Sequence, residues 1–401
     1  MAVAMAWVGK SDDMKILWIC GLPDDVRRFG AWREISPVKT ASWSWILGHL
    51  PPPDGVELHI VCPVRGLVDD RVDFDHSGAH WHCFRMMRGE QYVARVPVLL
   101  KIRAFAKSLE PDAIDGWGGE TGCGWIASWL GKQAVVNVQG LLKLLQAQMA
   151  ANGQNPKEGR WLDRTMRSLV ERLTYRRAAV LCVESNLSHD ALKSFYGHES
   201  RIVYQPLRPE FRAVSELAQT PHPPAFLFVG EFVSRKGAVD TLRAFARMKS
   251  PDATLTMVGG GNQRDELKRF VDENGLGDRV RFMGGLSANE LIGLMGRSDF
   301  FILPSYGDTG PTALKEALSQ GLYPICYDNT GPKELIERYG FGCACETGKW
   351  EKLTEAMDAA CARREELSRK GEEVSRLICY DLSPEAIWPK RLEIYREVFH
   401  A

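Results

Sequence analysis

The sequence predicts an α/β protein made of two doubly wound, Rossmann-like domains facing each other across a cleft. Three observations lead there. Short apolar runs of strand length alternate with longer stretches of helical periodicity almost from end to end, which builds parallel sheets with crossover helices rather than a β-sandwich or a helical bundle. The 401 residues are enough for two separate cores. A Pro-rich stretch at residues 221–224 divides two such alternating halves.

In the first half, Lys15 to Cys20 (KILWIC), Glu57 to Cys62 (ELHIVC), Ala113 to Asp115, Ala134 to Val138 and Val180 to Val183 read as strands. Val96 to Leu109 and Arg160 to Arg177 read as helices between them. The second half opens with the strand Phe226 to Val229, a helix near Ala238 to Met248 and a strand from Ala253 to Val258, and the pattern repeats to about Ile325. The tail from Glu385 to Phe399 alternates apolar and charged residues at helical spacing. Residues 1–13 (MAVAMAWVGKSDD) lack the basic start and apolar length of a secretory signal and are expected to be a disordered extension.

Composition excludes several classes. A hydrophobic fraction of 45% with 25% charged residues is that of an ordinary globular protein. Lys plus Arg equals Asp plus Glu at 51 each, which argues against a nucleic-acid partner, since phosphate neutralisation needs a basic excess. No apolar run reaches the roughly 18 residues that a membrane-spanning helix requires. The ten cysteines are scattered, with Cys20, Cys62, Cys182 and Cys326 inside apolar runs, as small buried hydrophobes of a reducing compartment would be. Cys343 and Cys345 form a C-x-C without a second pair or a histidine at ligand spacing. No metal and no cofactor are expected.

The most informative segment runs from Ser305 to Glu334, SYGDTGPTALKEALSQGLYPICYDNTGPKE. Asp308 and Glu316 lie eight residues apart, bracketing the start of a helix that follows the strand Phe300 to Leu303. Backbone donors, a helix dipole and two carboxylates therefore converge at the carboxyl end of a strand, where an α/β fold holds a nucleotide and a polar ligand. Amides around Gly310, Pro311 and Thr312 suit an anionic group, and a carboxylate further into the helix can accept from sugar hydroxyls. Upstream, Gly230 to Gly237 (GEFVSRKG) follows a strand and precedes a helix, with Arg235 and Lys236 as two fixed cations for a diphosphate. Val258 to Asn262 (VGGGN) and Val280 to Gly284 (VRFMG) give two further strand-to-glycine turns, at Gly260 and Gly284.

These motifs resemble the donor-site signature of the family 4 retaining glycosyltransferases (glycosyl transferases group 1), which have the two-domain GT-B fold. In that family an acid, seven residues and a glutamate are followed by Ala and then Gly; Asp308, Glu316, Ala317 and Gly321 fall on the pattern, with Asp in place of the usual Glu. The resemblance implies that Glu316 binds the nucleotide ribose, Asp308 the donor sugar, and Thr309, Gly310, Pro311 and Thr312 the surroundings of the diphosphate. Lys236 and Gly237 match the family's K-G turn, whereas Glu231 stands where an arginine is usual, leaving Arg235 to supply the second charge. The strand Val280 to Gly284 contacts the base through its backbone in the family, so no side-chain code separates UDP, GDP and ADP.

The N-terminal half is expected to hold the acceptor. Its first loop carries Trp32, whose ring suits stacking on a sugar. Glu120, just past the strand that ends at Asp115, is a candidate to orient or deprotonate the acceptor hydroxyl. Gln139 occupies the place of a histidine found in many relatives; it cannot take a proton but can hydrogen-bond donor or acceptor. Asp73-Phe74-Asp75 is the one D-x-D pair, the pattern by which another glycosyltransferase class holds a divalent metal, and it reads as part of a charged turn. The implied organisation is an N-terminal acceptor-side domain over 14–205 joined by a crossover helix at 385–401, a linker at 206–224, and a C-terminal nucleotide-sugar domain over 225–384.

The implied activity is retaining transfer of a hexose-type sugar from a nucleotide-diphosphate sugar to a glycan or lipid-linked acceptor, in polysaccharide or glycoconjugate biosynthesis. The expected location is the cytoplasm, with peripheral association at the inner membrane face an open alternative. A nucleotide-sugar epimerase of the same fold and a catalytically inert donor-binding module are the competing readings. A nicotinamide-dependent oxidoreductase fits less well, because no G-x-G-x-x-G opens the first βα turn.

Overall fold

A computed structural model describes residues 14–23, 50–87, 96–119, 122–131, 133–151, 153, 161–212, 223–328 and 331–399. The N-terminal extension, Trp32 and Glu120 lie outside the described residues. The first half contributes strands β1 (Met14–Ile19), β2 (Val56–Arg65), β3 (Arg71–His76), β4 (Ala79–Met86), β5 (Ala113–Trp117), β6 (Ala134–Asn137), β7 (Val180–Val183) and β8 (Arg201–Ile202). Its helices are α1 (Val96–Leu109), α2 (Cys123–Leu130), α3 (Leu142–Ala151), α4 (Trp161–Arg177) and α5 (Asn186–Tyr196). The sheet runs in the order β3-β4-β2-β1-β5-β6-β7-β8, parallel except for the antiparallel β3–β4 pair.

The second half contributes β9 (Ala225–Val229), β10 (Thr254–Val258), β11 (Val280–Met283), β12 (Phe300–Leu303), β13 (Tyr323–Tyr327) and β14 (Cys343–Cys345). Its helices are α6 (Ala238–Ala246), α7 (Arg264–Glu273), α8 (Ala288–Met295), α9 (Thr312–Ser319), α10 (Gly331–Tyr339), α11 (Trp350–Ala362), α12 (Arg364–Asp381) and α13 (Pro384–Phe399). All its strand pairs are parallel, in the order β11-β10-β9-β12-β13-β14. Counted along the chain this is 3-2-1-4-5-6, the doubly wound Rossmann order. Parallel strands covered by helices on both faces need apolar side chains on both faces. The central strands obey this: Ile16 to Cys20 in and beyond β1, and Phe226 to Phe228 in β9, are all essentially without exposure. No helix among the described residues is long and apolar enough to cross a membrane.

Two departures from the sequence reading concern the N-terminal sheet. Asp73-Phe74-Asp75 does not form a turn; it lies within β3, an edge strand whose exposure alternates. Val72 and Phe74 pack on the core while Arg71, Asp73 and Asp75 face outward, a period of two that defines a half-buried strand. The turn follows at Ser77 and Gly78, both with positive φ (51° and 75°), as a tight hairpin onto β4 requires. The second departure is α3, an additional helix after β6.

The terminal helix α13 packs on the N-terminal sheet, far from its neighbours in sequence. Trp18 Nε1 donates to the Tyr395 hydroxyl (3.0 Å), which donates to Asp115 Oδ2 (2.5 Å). Arg391 Nη1 reaches Asn137 Oδ1 at 3.1 Å and Asp115 Oδ2 at 3.5 Å, and its guanidinium stacks on Trp117. Trp388 stacks on Trp18 and donates to the Pro51 carbonyl (2.8 Å). Burial pushes Asp115 up to about 6 despite the opposing pull of Arg391, Tyr395 and Asn137. Removing the hydroxyl takes the short bond from Asp115 Oδ2 and leaves that buried oxygen only the 3.5 Å contact to Arg391, so Tyr395→Phe should destabilise the protein by about 1–3 kcal/mol. Breaking the exposed Lys352–Glu355 pair should change stability by less than about 1 kcal/mol. Unfolding midpoints of the two variants check this, and equal effects would show that the buried network contributes nothing special.

Candidate active site

The 3-2-1-4-5-6 order places a switch point between β9 and β12, whose carboxyl ends diverge and open a crevice. The segments leaving these strands build the site. Gly237 makes their approach possible: its φ is +69°, and a Cβ there would stand 2.0 Å from the Pro304 carbonyl oxygen. Across this contact Tyr306 N donates to Arg235 O (2.8 Å), and Arg235 Nη1 donates to Gly307 O (2.9 Å). The two segments are thus laced into one unit before any side chain meets a ligand.

Lys236 then forms an ion pair with Asp308, whose Oδ2 also accepts from Ser305 Oγ at 3.3 Å. Burial alone would raise the Asp308 carboxyl, but Lys236 and Arg235 outweigh it and hold the group below the ordinary aspartate value, hence ionised. The pair borders a cavity of about 260 Å³. Arg235, Lys236, Gly307, Asp308 and Thr309 form one wall. The opposite wall comes from the N-terminal half: Gln139 and Gly140, then Leu141, Leu144, Leu145 and Gln148 on and just before α3. Glu171, fully buried on α4, fixes the start of α3 by accepting from Leu142 N (3.1 Å) while Tyr175 and Tyr196 donate to it.

Glu316 sits on α9 with 3% exposure and does not line this cavity. Its Oε1 receives both Nε and Nη2 of Arg208 at 2.8 Å. Burial pushes its carboxyl up to about 7, against the opposing charge of Arg208. Further contacts close the two halves on each other. Thr309 Oγ1 donates to the Gln139 carbonyl across the divide (2.9 Å), while within the N-terminal half Gln205 donates to the Gln139 side chain. Lys315 Nζ meets Glu184 Oε2 at 2.8 Å, both buried, and Gly310 lies so near that a Cβ would stand 2.6 Å from the same oxygen. Glu334 on α10 accepts from the backbone of Asn186 and Leu187 at the start of α5, each at 2.7 Å.

Of the residues singled out from the sequence, Arg235, Lys236, Asp308, Thr309 and Gln139 meet at the cavity. Gly230 follows β9 directly, with a Cβ position 3.9 Å from the Lys236 stem. Gly310, Pro311 and Thr312 carry the chain from the cavity into α9, Pro311 standing at its N-cap. Gly260 and Gly284 face open space at the ends of β10 and β11, away from this cavity. Glu231, the departure from the family pattern, is exposed. Sequence reading missed Arg208, Lys315 and the α3 wall. The run Leu141-Leu142-Lys143-Leu144-Leu145-Gln146 was the available signal for α3, since it is rich in strong helix formers. Nothing local marks Arg208 as the partner of a residue 108 positions away.

Comparison with known proteins gives the lineage. The family model described as Glycosyl transferase 4-like domain matches residues 51–208, and that described as Glycosyl transferases group 1 matches residues 210–376. Among curated relatives, the lipopolysaccharide core biosynthesis glycosyltransferase LpsE of Rhizobium meliloti (strain 1021) is 25% identical over 171 residues, which are 43% of this chain and 49% of the relative. The match thus spans about half of that protein's length. Among solved structures, sucrose-phosphate synthase from Thermosynechococcus elongatus superposes with a TM-score of 0.74 at 19% identity, covering 96% of this chain and 99% of that one. Anabaena Alr3699/HepE in complex with UDP-glucose superposes with a TM-score of 0.69 at 16% identity, covering 96% and 100%. With both halves matched by family models and the fold shared over nearly its whole length, the chain belongs to the family 4, group 1 glycosyltransferases of the GT-B fold.

Proposed function

We propose that the protein is a retaining hexosyltransferase that moves a sugar from a nucleotide-diphosphate donor to a glycan or lipid-linked acceptor. The observation that carries this is the convergence of Arg235, Lys236 and Asp308 at the switch point, facing a wall supplied by the other domain. The bond between the anomeric carbon and the diphosphate oxygen breaks, and the acceptor oxygen bonds to that carbon from the same face. The acceptor proton passes to the departing diphosphate oxygen, so no carboxylate nucleophile is required. Arg235 and Lys236 stabilise the charge that develops on the diphosphate. Their closeness to Asp308 gives binding a second consequence: when the diphosphate recruits Lys236, the ionised Asp308 is released to accept from sugar hydroxyls. The side-chain amide of Gln139, which lines the opposite wall, hydrogen-bonds the sugar in this scheme. The known complex of the Anabaena structure with UDP-glucose supports a nucleotide-sugar donor for this fold.

Glu316 takes the ribose in this scheme, which requires Arg208 to yield one or more of its contacts. A panel of UDP-, GDP- and ADP-sugars should raise the melting temperature of the wild type with one nucleotide and leave Glu316→Ala unmoved. At 100 times the dissociation constant the gain is about 2.7 kcal/mol. No shift with any nucleotide would overturn the donor assignment, and isomerisation of the sugar without acceptor would favour an epimerase. Lys236→Ala should lower kcat by roughly 10²–10³-fold, the scale of losing one electrostatic stabiliser, measured as sugar transfer or slow donor hydrolysis; an unchanged rate would remove Lys236 from the chemistry.

The pH dependence of stability tests the environment of Glu316. Its carboxyl is raised from 4.5 to about 7 by burial, so the folded state holds this proton more tightly than the unfolded chain. The resulting stability is fully present at low pH and is lost as pH rises through about 7. Glu316→Gln should therefore gain stability relative to wild type between pH 4.5 and 7 and show a constant difference above. A difference that is flat across this window would mean that Glu316 is ionised throughout.

A further inference from the structure

We propose that the outer face of the N-terminal sheet, at the end of its strands away from the cavity, carries a site for a borderline divalent metal of the zinc type, ligated by Glu57, His59 and His80. The sheet register creates it. β2 and β4 are parallel neighbours in which His59 is paired with His80, and Glu57 lies two residues before His59 on the same face. One ligand atom from each of the three residues lies within 4.8 Å of the others. Tetrahedral zinc with bonds of about 2.0–2.2 Å sets ligand atoms about 3.3–3.6 Å apart, an adjustment that the half-exposed side chains of Glu57 and His80 can make by rotation.

The second layer around these groups is the one a metal site needs. His80 Nδ1 meets Asp75 Oδ1 at 2.6 Å, which leaves Nε2 for a metal. His59 Nδ1 meets His82 Nε2 at 2.9 Å, and His82 Nδ1 meets Asp73 Oδ1 at 2.9 Å. Each candidate imidazole is thus oriented through its far nitrogen by a carboxylate, directly or through a second imidazole, the arrangement that fixes ring and tautomer in histidine-ligated metal centres. His59 Nε2 now bonds Glu57 Oε1 at 2.7 Å, and a metal would take the place of the proton between them. In the metal-bound form the single proton of His59 sits on Nδ1, donating to His82 Nε2, and the single proton of His82 sits on Nδ1, donating to Asp73. Glu57, Asp73 and Asp75 supply three negative charges there, against Lys15 beside Glu57 (3.7 Å) and Arg71 beside Asp73 (2.6 Å). Two imidazoles, one carboxylate and solvent as fourth ligand suit zinc better than magnesium or calcium, which prefer all-oxygen sites.

The test is calorimetric titration of the full-length protein with Zn²⁺, together with the absorption spectrum of the Co²⁺-loaded form. Wild type should bind one equivalent, His80→Ala should lose at least about 100-fold in affinity, and Asp75→Asn should lose roughly 10–100-fold by disturbing only the orienting contact. Cys343→Ser with Cys345→Ser should bind as wild type does, and the cobalt spectrum should lack sulfur-to-metal charge transfer. Absence of stoichiometric binding by wild type, binding that survives His80→Ala, or binding that is lost with the two cysteines would each overturn the proposal.

Discussion

A carboxylate taken out of water must be given a partner, and three buried carboxylates of this protein receive theirs from a distant part of the chain. Glu184, at the end of β7, is met by Lys315 of α9. Glu316 is met by Arg208 in the segment between the two sheets. Asp115, in β5, is met by Tyr395 and Arg391 of the last helix. Each pair is worth little against an apolar replacement, but removing one member leaves a buried charge alone. These contacts therefore fix which faces of the two domains meet, and α13 cannot leave the N-terminal sheet without abandoning Asp115.

Asp308 is different. Its partner Lys236 comes from the same domain, and both stand at the rim of the cavity with modest exposure, 15% and 13% at their side chains. In the proposed function the pair would give an anionic diphosphate a cation, and a polyol an acceptor, once the two separate. Nothing in the long-range scaffold has to move for that exchange, because the Arg235 carbonyl accepts from Tyr306 N and its guanidinium donates to the Gly307 carbonyl, which holds the geometry meanwhile. The apolar wall across the cavity adds a low-polarity environment in which these charges act more strongly than they would in water.

Much of this was legible in the sequence because it depends on local pattern. The apolar runs at KILWIC and FFIL, the glycine after β9, the cations before α6 and the acid spacing into α9 each report a strand-to-loop-to-helix junction, and such junctions at the ends of parallel strands are where α/β sites form. The β3–β4 hairpin escaped because its charged residues, Asp73 and Asp75, resemble a turn until Val72 and Phe74 are counted with them as the inward half of an alternating strand. The wall made by α3 escaped although Leu141, Leu144 and Leu145 stand at helical spacing, because the adjacent Leu142 extends the run and blurs the single apolar face. Arg208, Lys315 and Arg391 could not be assigned at all, since each acquires its meaning from a partner brought near by the fold rather than by spacing. Glu120 and Trp32, chosen from their positions after strands, lie outside the described residues.

The start of α5 carries one more consequence. Its Ser185 cap accepts from Ser188 N, while the amides of Asn186 and Leu187 are taken by Glu334 from the other domain. One helix terminus is therefore completed by residues of both halves, and any separation that draws α10 away returns two backbone donors to water while the rest of α5 stays folded. The exchange of those two amides with solvent deuterium therefore responds to domain separation, which makes a helix end in the N-terminal half a reporter on the contact between the two halves.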